Sequence, residues 1–459
     1  MDNKINLKSY ISSLIVLFAL MILTYILTFV IPSGEYARII NADGNEIIDI
    51  ESEFKFVEGG IPFWKWVLSP ILVLTTSGSF TIIAVIILLL VIGAIFGPLT
   101  DSNIIKYLID KIAYKYGKKK YKLIAILTLV FMLLGAFIGI YEEAVPLVPI
   151  VVGLMIMLGF DISLGLGVSI VAVGCGFSTG IMNPFTIGVA QKLAGVPLFS
   201  GVWLRIVSFI IIYLLLLAFL FFYAKKIERK DVNAEITFEK SIELERATNA
   251  FLIILGVGVL LVLMSPFIPF LQDITMIIVI LMFLVAGITS CALVKMPIKD
   301  FFKSAFRNML GVLPALVLIL MASSIKYVLV ESKTLDTIMY YAANVAETIP
   351  RFTVVLFIYL IALILEFFIA SGSAKAFLLI PIILPIASLF GISPQLCILA
   401  YAFGDGFSNI FYPTNPVLLI SLGLNKTKYT DYMKFTWKFA LSTLVVTSLI
   451  LLFGLMIGY

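Results

Sequence analysis

Near-continuous apolar runs dominate this chain, at 10–32, 80–98, 122–138, 145–159, 162–195, 200–224, 248–270, 273–295, 309–330, 352–370, 377–390, 394–424 and 434–457. A bilayer's hydrocarbon layer takes about 20 helical residues to cross and offers no hydrogen-bond partner to an exposed backbone. Runs of that length therefore fold as spanning helices. Composition closes off the alternative of a large soluble core. Of 459 residues, 62% are hydrophobic and 13% charged, against about half and about a quarter in soluble domains. The mean hydropathy is +1.15. The expected fold class is an all-α polytopic membrane protein, with the lipid bilayer as its surroundings.

Two absences narrow the chemistry. The chain contains no histidine, which excludes imidazole proton relays, histidine metal sites and Ser-His-Asp triads. Its three cysteines, Cys175, Cys291 and Cys397, lie far apart inside apolar runs with no Cys-x-x-Cys spacing, so they read as buried packing. No metal site, no cofactor and no enzymatic activity are expected. The net charge is +5, with basic residues scattered through short connections, a pattern of loop anchoring and not of nucleic-acid binding. Lys4 and Lys8 precede a run from Tyr10 to about Pro32 that is too long for a signal-peptide core and lacks a small-residue cleavage site. It reads as a retained first span with the N-terminus cytoplasmic.

Charge then orients the connections. The longest polar stretch, 33–79, is acidic-biased and is expected outside. Segment 101–122 is lysine-rich, and the span at 200–224 runs into Lys225, Lys226, Arg229 and Lys230, so both of those ends are expected in the cytoplasm. Between them, 122–138 and 145–159 read either as two short spans or as one re-entrant hairpin turning inside the membrane at Gly139–Ala144. Pro146 and Pro149 interrupt the second arm, and the later half of the chain favours the hairpin.

That half repeats the first. Gly174-Cys175-Gly176-Phe177-Ser178 returns 230 residues on as Gly404-Asp405-Gly406-Phe407-Ser408. Asn183-Pro184 returns as Asn415-Pro416, Pro149 and Gly159 as Pro381 and Gly391, and Asp101-Ser102 as Glu331-Ser332. Four ordered matches within two residues of one offset mark an internal repeat. The runs 200–224, 248–270 and 273–295 lie between the copies, an odd number of crossings, so the halves are expected to be inverted. Each half would hold a surface-lying amphipathic helix, a re-entrant hairpin (122–159; 352–390) and a broken transmembrane helix (162–195; 394–424). The surface helices show apolar stripes at Ile104, Ile105, Leu108, Ile109 and Ile112, and at Leu335, Ile338, Met339, Ala342 and Val345 within 334–346. Residues 1–224 and 248–459 would be the halves, and 225–247 a cytoplasmic linker.

Polar backbone is tolerated at membrane depth only where it lines a cavity or is buried in protein. Ser178–Pro184 and Ser408–Pro416 meet that description, each carrying a helix-breaking proline among small polar residues. A break frees carbonyls for a cation and a half-helix N-terminus for a carboxylate; a plain proline kink is the structural alternative. The hairpin tips are Gly139–Ala144, with Glu142 and Glu143, and Ser371–Ala376, with Ser373 and Lys375. Glu143 falls opposite Lys375 at the repeat offset, and pairing of Lys375 with Glu143 or Asp405 is the structural reading. Glu366, in the second hairpin, reads as structural. Four acids against one lysine would favour a positively charged guest.

Ile31–Tyr36, the Glu142-Glu143 hairpin, Ile181–Gln191, Ser371-Gly372-Ser373 and Phe403–Phe407 together resemble the YfcC-type carriers. These belong to the anaerobic four-carbon-dicarboxylate carrier-like group of the ion transporter superfamily. The resemblance covers nearly the whole chain. It implies an elevator-type secondary transporter of the bacterial cytoplasmic membrane, usually a homodimer, exchanging basic amino acids and coupled to Na+ or H+. Two positions depart from that pattern: Lys375, where an uncharged residue is expected, and Asn415-Pro416, where Ser-Gly is expected. On this reading Glu142, Glu143, Ser178, Thr179, Asn183, Ser371, Ser373, Lys375, Asn409, Thr414 and Asn415 would bind substrate. Asp405 and Ser408 would take the coupling ion or proton. A small-carboxylate carrier is the alternative.

Overall fold

The computed structural model describes residues 7–40, 46–48, 53–76, 79–139, 141–228, 238–264, 268, 270–271, 274–346, 349–369 and 372–459. Helix α1 (Leu7–Val30) is followed by four short strands, β1 (Gly34–Glu35), β2 (Arg38–Ile40), β3 (Glu46–Ile48) and β4 (Lys55–Phe56). They pair as two antiparallel ribbons, β1 with β4 and β2 with β3. The expectation of an all-α chain is corrected to a nearly all-helical one. The stretch 33–79 also holds a helix, α2 (Phe63–Leu72). Its Trp66 stacks on Tyr25 at 5.0 Å and donates its indole N–H to the Met21 carbonyl at 3.0 Å, pinning α2 to α1.

Two series of helices follow. The first is α3 (Ser79–Asp101), α4 (Ile104–Tyr116), α5 (Lys120–Leu133) with a wide turn at Leu134–Ile138, a tight turn at Glu142–Leu147, α6 (Val148–Met157), α7 (Ile162–Leu166), α8 (Ala172–Thr179), α9 (Val189–Leu193) and α10 (Val202–Ile227). Helices α11 (Ile242–Met264) and α12 (Thr275–Leu293) intervene. The second is α13 (Ile298–Glu331), α14 (Thr334–Ala346), α15 (Arg351–Glu366), α16 (Gly372–Leu389), α17 (Pro394–Phe411), α18 (Pro416–Leu424) and α19 (Tyr429–Met456).

Local chemistry recurs at matching places. Left-handed Asn103 (φ 63°) and Lys333 (φ 56°) precede the 13-residue helices α4 and α14. Asp161 caps Leu164 N–H at 2.9 Å where Ser393 caps Leu396 N–H at 3.2 Å. Asn183 and Asn415 each cap a helical segment that opens on proline. The stripe of α4 is buried at Ile104, Ile105, Leu108 and Ile109; on α14, Leu335 and Met339 are buried while Val345 is exposed.

Among the described residues seven helices are long and apolar enough to cross a membrane. Burial is distributed as lipid demands. Large apolar side chains such as Phe29 and Phe222 are exposed at 71% and 75%, whereas Leu396–Ile410 of α17 and residues 164–181 of the α7–α9 span are buried throughout.

The two Gly-x-Gly motifs let the central helices touch. A Cβ on Gly406 would run into Ser178 of α8, and one on Gly174 into Ile410 of α17. The other glycine of each motif turns to its own hairpin: Gly176 to Met132 of α5, Gly404 to Tyr359 and Ala362 of α15.

Candidate substrate-binding site

Two breaks interrupt the central helices, at Gly180–Asn183 and Tyr412–Asn415. Both hairpin tips reach the first break, and each tip also touches the helix that leads into the second. A Cβ on Gly139, in the first tip, would strike Asn183 Oδ1 of the first break. One on Gly372, in the second tip, would stand 2.8 Å from Thr186 Cγ2 just past the first break and 3.0 Å from Asp405 Oδ2 of α17. Tyr141 at the first tip donates its hydroxyl to the Asn409 carbonyl of α17 at 2.9 Å. Elements of both series therefore converge on one place.

At the first break Ser178 and Thr179 donate back to their own helix, to Gly174 O at 2.6 Å and Gly176 O at 2.9 Å, which fixes the hydroxyl hydrogens and leaves only acceptor capacity. Asn183 Oδ1 accepts Phe185 N–H at 2.9 Å and Thr186 N–H at 3.3 Å. Its Nδ2 and the Thr186 hydroxyl are buried with no hydrogen-bond partner among the described residues. Such groups stay in native proteins where a guest or water completes them. The Ile181 carbonyl is taken by Arg205 Nε at 3.2 Å; the same guanidinium binds the Phe199 and Ser200 carbonyls at 3.2 and 2.9 Å.

At the second break the carbonyls are each met by one hydroxyl, which leaves one lone pair apiece. The last carbonyls of α17 accept hydroxyls from Tyr141 (to Asn409), Tyr432 (to Ile410, 2.9 Å) and Tyr429 (to Phe411, 2.7 Å). Asn409 Nδ2 donates to Asp405 O at 2.9 Å, and Asn415 bridges Asn409 Oδ1 and Leu418 N–H. Ser408 donates to Gly404 O and Asp405 O. Thr414 Oγ1 alone among these is buried without a partner.

The charged groups cluster beside Gly372. Lys375 Nζ donates to Asp405 Oδ1 at 2.5 Å and pairs with Glu366 Oε2, all three side chains at 0–1% exposure. Of the two partners foreseen for Lys375 the structure gives Asp405 and adds Glu366. The side chains of Glu143 and Ser373, and the whole of Ser371, lie outside the described residues. Glu142 is partly exposed and feels the charge of Asp405. No group of three histidine, cysteine, aspartate or glutamate side chains suited to a metal is found among the described residues.

Sequence reasoning undervalued Glu366, although any ionisable residue in a 19-residue apolar run is a signal. The same signal applies to Arg205. The three tyrosines gave none, because a tyrosine in an apolar helix reads as packing.

The model of the family described as "DcuC: C4-dicarboxylate anaerobic carrier" matches residues 11–456. A relative from Escherichia coli K12, "Putative basic amino acid antiporter YfcC", is 30% identical over 415 residues, covering 84% of this chain and 80% of that one. A protein of Haemophilus influenzae, named only "Uncharacterized protein", is 22% identical over 96% of both. Among solved structures, the YdaH transporter of Alcanivorax borkumensis aligns at TM-score 0.47 and 18% identity, covering 98% of this chain and 99% of that chain.

Proposed function

The chain belongs to the C4-dicarboxylate anaerobic carrier family, and from that premise we propose that it is a secondary antiporter of a small basic amino acid. One observation carries the substrate class. Lys375 is already held by two buried carboxylates, so it is committed before any substrate arrives. With Glu142 the site carries an acid excess, which a substrate ammonium or guanidinium offsets and a diacid would worsen. The relative named as a basic amino acid antiporter agrees with this reading.

Glu142 and Glu143 take the substrate's cationic groups. Asn183, Thr414 and the tip serines Ser371 and Ser373 take its polar ends, with Ser178, Thr179, Asn409 and Asn415 shaping the floor. Asp405, with Ser408 one turn on, marks where coupling is organised. The matched caps and left-handed turns support halves at 1–224 and 248–459. With α11 and α12 between three-crossing units, the halves are inverted. Hairpins and breaks, with α10 and α19 bonded to them, then move as one body against α1, α3 and α11–α13 in an elevator, within a homodimer of the bacterial cytoplasmic membrane.

Counterflow into proteoliposomes with labelled arginine, ornithine, malate and succinate tests the substrate. Arginine or ornithine should exchange; stimulation by the diacids alone contradicts the proposal. The diacid reading keeps one favourable observation, the unpartnered Asn183 Nδ2 donor, and this panel decides it.

A further inference from the structure

Two carboxylates converge on a single ammonium tethered by its own stem: Asp405 Oδ1 accepts from Lys375 Nζ and Glu366 Oε2 pairs with it. A coupling metal cation would need that same position between the oxygens, and the ammonium occupies it. Ionised, the trio keeps one uncompensated negative charge away from water, which a single proton removes. Three oxygens can receive it, both oxygens of Glu366 and Asp405 Oδ2, none with a hydrogen-bond partner among the described residues, although Glu366 Oε2 is ion-paired to Lys375. Glu366 is the last residue of α15, where the carbonyl end of the helix opposes a carboxylate. Asp405 lies within α17 and already accepts from Lys375. The methyl of Thr186 lies toward Gly372 beside Asp405 Oδ2, and neither the Thr186 hydroxyl nor that oxygen has a hydrogen-bond partner among the described residues. The helix-end position of Glu366 and the bond that Asp405 already accepts are what assign the proton to Glu366.

Other titratable groups lie on the elements around the trio. Glu142 on the first tip feels the charge of Asp405, and Tyr401 donates to Gly372 O at 2.5 Å. Tyr359 of α15 bonds Thr447 of α19, Tyr432 of α19 bonds Ile410 O, and Tyr412 packs on Phe367. Cys175 is on α8, packed against α17; Lys192 on α9 and Asp336 on α14 are on helices packed against α16, with Asp336 paired to Arg38.

We infer that Lys375 stands in for a coupling sodium ion and that Glu366 carries one proton per cycle, so this carrier is proton-coupled and sodium-independent. On one side of the membrane the Glu366 carboxylate takes a proton from hydronium, leaving water and a neutral carboxyl. On the other side the carboxyl returns that proton to water, and no other bond changes. The inference rests on the chain being a secondary transporter and not on which substrate it moves.

The test uses the full chain in proteoliposomes, with whichever substrate of the counterflow panel exchanges. Replacing sodium by choline should leave wild-type uptake within about twofold, and a gradient of about one pH unit should drive about tenfold accumulation per coupled proton. Glu366→Gln should lose gradient-driven accumulation. Loss of wild-type transport without sodium, failure of the pH gradient to drive wild-type accumulation, or an E366Q variant still driven by it each overturns the inference. The wild-type arms decide if E366Q does not fold. If nothing in the panel exchanges, the substrate reading fails separately, and thermal unfolding of the wild type decides. No sodium-specific stabilisation is expected, and one would overturn the inference.

Discussion

The break at Gly180–Asn183 and the break at Tyr412–Asn415 occupy the same place in two matching series of helices, but their surroundings satisfy them differently. Three tyrosine hydroxyls from the first tip and α19 close the carbonyl end of α17. At the first break one guanidinium holds the Ile181 carbonyl, while the Asn183 amide and the Thr186 hydroxyl remain without partners among the described residues. The break whose helix carbonyls are met is the stiffer platform, with only the Thr414 hydroxyl left over; the one with two spare buried groups is completed by a guest. The second half thus supplies rigidity and the charged cluster, and the first supplies adaptable polar contacts.

The largest break in that contrast comes from Lys375→Met. It leaves two buried carboxylates facing each other, and removal of one member of such a pair costs about 3–5 kcal/mol. Thermal unfolding in detergent should show a steep loss, partly restored by adding Glu366→Gln. Next, Gly406→Ala forces a methyl into Ser178 and should cost about 1–3 kcal/mol by overpacking. Gly423→Ala, with nothing within 4 Å of its new methyl, should be neutral or stabilising; equal melting temperatures for the two would refute the crossing. Tyr432→Phe leaves a buried carbonyl unbonded and should cost about 1–3 kcal/mol, against no more than a small loss for Thr186→Val, whose hydroxyl has no partner to lose. Substrate affinity should respond in the reverse order.

The smallest effect lies outside the membrane. Asp336 of α14 binds Arg38 Nη2 at 2.9 Å and the Tyr36 N–H at 3.2 Å. Burial, then the Asp336 charge, pushes the Tyr36 phenol up to about 12. An acid whose folded value is raised stabilises the fold below its unfolded value and loses that contribution as pH climbs through the folded one. Tyr36 should therefore weaken the fold only between about pH 10 and 12. Asp336→Asn should lower its spectrophotometric titration midpoint.

Much of this was legible in the chain. Hydropathy located the helices, and the recurrence of Gly-x-Gly-Phe-Ser and Asn-Pro located both breaks, because glycine and proline have few uses at membrane depth. The ribbons at 34–56 were not, since two- and three-residue strands leave no periodic pattern. Nor was the fate of the freed carbonyls: that Tyr141, Tyr429 and Tyr432 reach them depends on how three separate elements pack. Glu366 was visible as a charge, but its convergence on Lys375 required the fold.

The claim on which these readings depend is that both breaks face one substrate. Thr186→Cys and Thr414→Cys, each in a background lacking Cys175, Cys291 and Cys397, can be labelled with a thiol reagent in reconstituted protein. The transported substrate should protect both positions with the same half-maximal concentration. Protection of only one, or of neither at a concentration that saturates exchange, would contradict a shared site.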